Sequence, residues 1–142
     1  MKLFYIGFFC CLLLSGCPEM DKLKDDPNDA TLRIINGTSR DILFCPSFSF
    51  PDTSLNMGSW FLNEQEQEIA LVRSDSFKDY PRQWKLLLSK ENPDFRLMIF
   101  LFEKSTLETT PWDTIVKKYL VLKRYDLSLE DLEKKNWTIT YP

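Results

Sequence analysis

Apolar and polar positions divide this chain into three zones. Residues 3–14 form an almost unbroken apolar run behind Lys2, with Gly7 as its one gap. Residues 18–30 are polar, charged and broken by prolines. From Thr31 onward, short apolar segments alternate with turn signals. Residues 31–36 alternate as a strand does, Asn36-Gly37 begins a turn, and residues 41–50 predict a second strand. The two read as a hairpin. Ile42, Phe44, Phe48 and Phe50 share one face of the second strand, and Pro46 among them marks an edge strand or a bulge. Residues 51–64 read as a loop carrying Leu55, Met57, Trp60 and Phe61. Residues 65–73, with Ile69-Ala70-Leu71-Val72, read as a third strand. Asp79-Tyr80-Pro81 reads as a turn. A short helix follows from Pro81 to about Lys90, stopped by Asn92-Pro93. Period alone does not separate helix from strand over Trp84 to Leu88. Residues 95–102, FRLMIFLF, are the most apolar stretch after the first run and predict a central strand covered on both faces.

The last third carries the clearest local signals. Thr110-Pro111-Trp112-Asp113 sets an N-cap threonine, a proline at N1 and an acid at N3, which opens a helix. Trp112, Ile115, Val116 and Tyr119 give that helix its apolar face, and Lys117-Lys118 suit its C-terminal end. Residues 120–125 predict a strand. Ser128-Leu129-Glu130-Asp131 is a capping box, with Leu127 and Leu132 placed as a hydrophobic staple. Acids precede lysines along this second helix, as the macrodipole favours, and Asn136 closes it. Trp137-Thr138-Ile139-Thr140-Tyr141 alternates as a strand with one buried face.

The first zone has the three parts of a secretory signal, a basic start, an apolar run and a small-residue end. The run is too short for a bilayer core, which takes about 20 residues. Leu14-Ser15-Gly16-Cys17 resembles the bacterial lipobox. That resemblance implies cleavage between Gly16 and Cys17 and lipid, palmitate included, on the cysteine. Each buried CH₂ adds about 0.8 kcal/mol and one chain alone binds marginally, so two or three chains hold firmly. The expected organisation is a cleaved signal at 1–16, a flexible tether at 17–30 and one β-rich domain at 31–142. The expected location is the outer membrane of a bacterial envelope, facing the periplasm or the surface. Acidic Glu19 and Asp21 behind the cysteine loosely resemble the surface-export signal of Bacteroidota lipoproteins; a merely solvated linker also explains them.

Composition removes several function classes. The chain has net charge −3, without a basic excess, which argues against nucleic acid as a partner. It has no histidine, so histidine triads, histidine bases and the commonest metal ligand are excluded. Behind Cys17 only Gly37 and Gly58 remain, too few for a phosphate-binding or dinucleotide loop. Cys10 and Cys11 lie in the apolar run, which leaves Cys45 with no partner for a disulfide. Its neighbours Ile42-Leu43-Phe44 suggest a buried, inert thiol rather than a reactive one.

The end of the chain resembles small uncharacterised lipoproteins of Bacteroidota. The residues that carry this are Pro111-Trp112-Asp113, Leu122-Lys123-Arg124-Tyr125-Asp126-Leu127, Asp131-Leu132 and Asn136-Trp137-Thr138-Ile139-Thr140-Tyr141-Pro142, with Asn36 and Ile99-Phe100. The resemblance covers about a third of the chain and implies a lipid-anchored β-rich domain. It implies no activity and no catalytic residue.

Candidate chemistry is sparse. Asp25-Asp26 sits in the tether, Glu130-Asp131 is accounted for by capping, and Glu64, Glu66 and Glu68 fit a solvated strand edge. Trp60, Phe61, Tyr80 and Trp84, in or near loops, are the candidate ligand contacts, through stacking on sugars or packing on a protein partner. The alternative is that these aromatics plug the ends of a small core. Lys123-Arg124 beside Tyr125 is either an anion site or the outer face of a strand. Asn36-Gly37-Thr38 and Asn136-Trp137-Thr138 match the N-glycosylation acceptor, which mostly lapses in a bacterium. Asp113-Thr114-Ile115 resembles a short O-glycosylation motif of Bacteroidota.

The sequence therefore predicts an α+β fold, mainly antiparallel β and sandwich-like, with two short helices in the C-terminal third. It predicts a lipid-anchored envelope protein that binds or builds without catalysis, cofactor or metal, joined to the membrane through Cys17 and to a glycan or protein partner. The alternatives are a small carboxylate-dependent hydrolase of glycosidase type and an accessory subunit of an envelope complex.

Overall fold

The computed structural model describes residues 29–56, 63–88 and 94–142. The signal, Cys17, nearly all of the tether, Met57, Trp60 and Phe61 lie outside them. The described residues form seven strands and five short helices. The strands are β1 (Ala30–Asn36), β2 (Ile42–Ser47), β3 (Leu71–Val72), β4 (Ser76–Arg82), β5 (Leu97–Glu103), β6 (Lys123–Leu127) and β7 (Thr138–Tyr141). The helices are α1 (Glu64–Ala70), α2 (Trp84–Leu88), α3 (Lys104–Thr109), α4 (Trp112–Lys118) and α5 (Leu129–Lys134). The fold is α+β and sheet-rich, mostly antiparallel, with α4 and α5 near the C-terminus as the sequence predicts.

Two sheets carry the architecture. One has the order β4-β1-β7, the other β3-β2-β5-β6. All pairings are antiparallel except β1 with β7. Leu32 and Ile34 of β1 and Ile139 of β7 meet Ile42 and Phe44 of β2 and Leu97, Ile99 and Leu101 of β5 between the sheets. On the outer face of the four-stranded sheet, Leu43, Cys45, Met98, Phe100 and Phe102 are covered by Leu55, Ala70, Leu107 and Ile115. β5 is thus buried on both sides, which its continuous apolar run requires. Each fully buried Leu, Ile or Phe contributes about 1.5–3 kcal/mol, so this strand is the energetic centre of the domain.

The expected β1–β2 hairpin does not form. β1 is flanked on both sides by β4 and β7, and β2 crosses to the other sheet. Burial explains the choice. β1 alternates exposed and buried positions, whereas Ile42 to Cys45 are all buried and need a sheet covered on both faces. Asn36, 1% exposed, ties the crossing together. Its Nδ2 donates to the carbonyls of Arg40, Val72 and Arg73 at 2.7, 3.2 and 3.1 Å. Its Oδ1 accepts from the Thr38 amide and hydroxyl. The Asn-Gly pair supplies a side-chain clamp between sheets rather than a hairpin turn, and a buried amide so engaged is no glycosylation acceptor.

Four further expectations change. The third strand is confined to Leu71–Val72, and α1 precedes it. Glu and Gln are good helix formers, Asn63 Oδ1 accepts from the Gln65 amide, and Glu64 and Glu66 sit in the first turn, so capping overrides the short apolar cue. Asp79-Tyr80-Pro81 is not a turn but part of β4. Pro81 is tolerated because β4 is an edge strand, and Arg33 and Asp79, register partners, make two 2.7 Å contacts across β1 and β4. Thr110 closes α3, donating its amide to Thr106 O, and Pro111 caps α4, one residue later than the threonine signal implied. The strand expected at 120–125 begins at Lys123 instead. The capping box of α5 forms as predicted, with Asp131 accepting from the Ser128 amide at 2.9 Å and Ser128 Oγ accepting from the Asp131 amide at 3.1 Å.

Candidate functional site

Beyond Leu43, β2 runs on without β3 beside it, since β3 pairs only with Ile42 and Leu43. This side of the molecule, where β2 and β4 part, opens a groove of about 1030 Å³. β2 contributes Phe44 and Pro46, the segment just after it Phe48, α1 contributes Gln65, Glu66, Glu68, Ile69 and Ala70, β4 contributes residues 78–82, and α2 contributes Trp84. Pro46 therefore lies on a stretch of β2 that is locally an edge, as its missing amide hydrogen suggests.

The groove has an aromatic lining and charged borders. The Phe44 and Tyr80 rings stand 4.3 Å apart, and Phe48 lies 6.3 Å from Trp84. Trp84 is 2% exposed, and its Nε1 donates to Tyr80 O at 2.8 Å. Phe48 and Ile69 are the more open apolar side chains, Ile69 at 59% exposure. Arg82 lies over the Trp84 ring at 5.6 Å. Lys78 Nζ reaches across to donate to Glu68 O. The Arg33 guanidinium holds the Asp79 carboxyl below the ordinary carboxylate range. The Tyr80 hydroxyl is buried without a hydrogen-bond partner among the described residues, and burial raises its pKa.

Of the four sequence-chosen aromatics, the structure brings Tyr80 and Trp84 together at this groove. Tyr80 lies in a strand and Trp84 in a helix rather than in loops. Trp60 and Phe61 lie outside the described residues. Sequence reasoning did not select Phe48, Pro46 or Ile69. The shared face of Phe44 and Phe48 interrupted by Pro46 was the available signal. Glu66 and Glu68 belong to α1, not to a strand edge. Two residues apart on a helix, they do not face each other.

Cys45 is fully buried, free, and its thiol is pushed up to about 12 by burial. Arg124 pairs with Asp126 at 3.0 Å, and Lys123 lies over the Tyr125 ring at 5.8 Å. Asp113 and Thr114 are in α4, next to the buried Ile115. Among the described residues no group of three or more His, Cys, Asp or Glu could hold a metal ion, and no helix is long and apolar enough to cross a membrane. No protein-family profile matches the chain, and no curated protein or solved structure does.

Proposed function

We propose that this chain is a non-catalytic binding module of the bacterial cell envelope, held at the outer membrane by lipid on Cys17. The location rests on Leu14-Ser15-Gly16-Cys17 following an apolar run too short to span a bilayer. The binding role rests on one observation, the groove between α1 and β4. Its accessible apolar residues, Phe48 and Ile69, suit the apolar side chains of a protein segment. The nearly buried Trp84 offers little ring face for a sugar. Lys78, Arg82 and Glu66 at its borders would set the orientation of the segment.

The hydrolase reading needs two carboxyls facing one reacting bond, one of them kept protonated by a raised pKa. Asp79 is held ionised by Arg33, and Glu66 and Glu68 diverge around α1. The groove favours binding over acid–base chemistry.

The anchor is tested by Cys17→Ala, which abolishes labelling by radioactive palmitate; surviving label sinks it. The groove is tested by a photo-crosslinking amino acid at Ile69, with Thr109 on α3 as control position, in the full chain expressed in its own envelope. A discrete protein adduct from position 69 and none from 109 is expected. Equal adduct patterns from both positions remove the groove as the site, and a glycan array run on the same chain identifies a sugar ligand if that is the true one.

A further inference from the structure

The stretch from Thr114 to Tyr125 holds Lys117, Lys118, Lys123 and Arg124 and no acid, in a chain whose net charge is −3. It comprises the end of α4, the connection to β6 and the start of that strand. The same stretch exposes Val116, Tyr119 and Leu120 at 39%, 43% and 36%. Tyr119 ends α4 in the left-handed conformation, and its hydroxyl lies 3.4 Å from the Arg124 guanidinium, so helix end and strand start form one continuous corner. Arg124 is engaged by Asp126, but Lys117 and Lys118 make no ion pair among the described residues. Apolar side chains beside unpaired lysines match the two layers of an anionic bilayer surface, headgroup phosphate above and acyl chain below.

We propose that this α4–β6 corner is a membrane-docking face that lies on anionic lipid and orients the domain. The proposal rests on the lipid-anchor reading and adds what an anchor cannot supply. The dozen residues between Cys17 and β1 are long enough to span about 40 Å, more than the radius of a domain this size, so the attachment point by itself selects no face of the domain. A basic, apolar corner selects one. The sheet order gives the consequence. β6 is one edge of the four-stranded sheet, and the strand of that sheet that lines the groove is β2, two strand spacings or roughly 10 Å away. Docking through β6 turns the groove away from the membrane, toward soluble partners.

The test is amide hydrogen exchange on the full chain bound to phosphatidylcholine vesicles with and without phosphatidylglycerol, with the mass of Cys17 measured in the same sample. Peptides covering 114–125 exchange several-fold more slowly on the anionic vesicles, and peptides from β5 do not change. The protection disappears in K117E/K118E, two exposed positions whose replacement leaves the fold intact, and fades for the unaltered chain as salt is raised. Equal exchange over 114–125 on both vesicle types, with lipid present on Cys17, overturns the docking face and leaves the anchor standing. Absence of lipid on Cys17 overturns the anchor. Charge-dependent protection after simple mixing would then keep the corner as a lipid-binding surface, and its absence would remove both.

Discussion

The two faces of β5 are built from different side chains. Leu97, Ile99 and Leu101 point to the other sheet, whereas Met98, Phe100 and Phe102 point to the helices and the Leu55 loop. A sheet offers a continuous opposing surface, so branched aliphatics interdigitate with Leu32 and Ile34. The helical cover is assembled from pieces. α1, α3 and α4 supply one buried residue each, Ala70, Leu107 and Ile115. Large rings on the strand make up the volume that short helices cannot. Phe102 and Trp112, 6.0 Å apart, show the same compensation at the margin. α5 is the exception among the helices of the last third, because its Leu132 joins the core between the sheets.

If rings carry the helical side, Phe100→Ala gives the largest loss in the domain, about 3–5 kcal/mol by urea denaturation, and Ile99→Val on the opposite face costs about 0.5–1.5 kcal/mol. The comparison breaks if the Ile99 change is the costlier of the two. Ser128→Ala tests the helix that faces the other way and costs about 1 kcal/mol. Its pH dependence sharpens the point. The Ser128 amide and hydroxyl hold the Asp131 carboxyl below its ordinary pKa. A group with a depressed folded-state pKa contributes fully above its unfolded value, about 3.9 for Asp, and loses that contribution as pH falls through the folded value. The penalty of Asp131→Asn is therefore present at pH 7 and shrinks progressively below pH 4; a penalty constant with pH would contradict the ionic cap. The smallest effect is at the rim of the inter-sheet core. Tyr80→Phe removes a buried hydroxyl that has no partner among the described residues and keeps the ring against Phe44, so its stability change stays near zero or favours the variant. A clear loss would reveal a partner for that hydroxyl.

The groove and the docking corner differ in how far the sequence exposes them. The corner is contiguous in sequence, and its basic residues and apolar face are legible in Val116-Lys117-Lys118-Tyr119-Leu120. The groove is assembled from β2, α1, β4 and α2, and only Tyr80 and Trp84 among its residues are picked out in advance as ligand contacts. Their exposure cannot be read from residue type, since a tryptophan that stacks on a ligand and one that plugs a core look alike in a linear chain.

What the sequence determined by itself was local. The capping box at Ser128 and Asp131 forms because its donors and acceptors lie within one turn. β5 follows from an apolar run too long for an exposed face and too short for a membrane. Burial of Cys45 follows from its neighbours. What the tertiary structure decided was partnership. Asn36-Gly37 has the chemistry of a hairpin turn, yet β1 takes β4 and β7 because Ile42 to Cys45 need cover on both faces. Asp79-Tyr80-Pro81 has the chemistry of a turn, yet extends as an edge strand held by Arg33. The physical reason is the same in both cases. A turn or cap is settled by groups a few residues apart, whereas a strand's place is settled by which apolar faces remain uncovered after all the others have been paired.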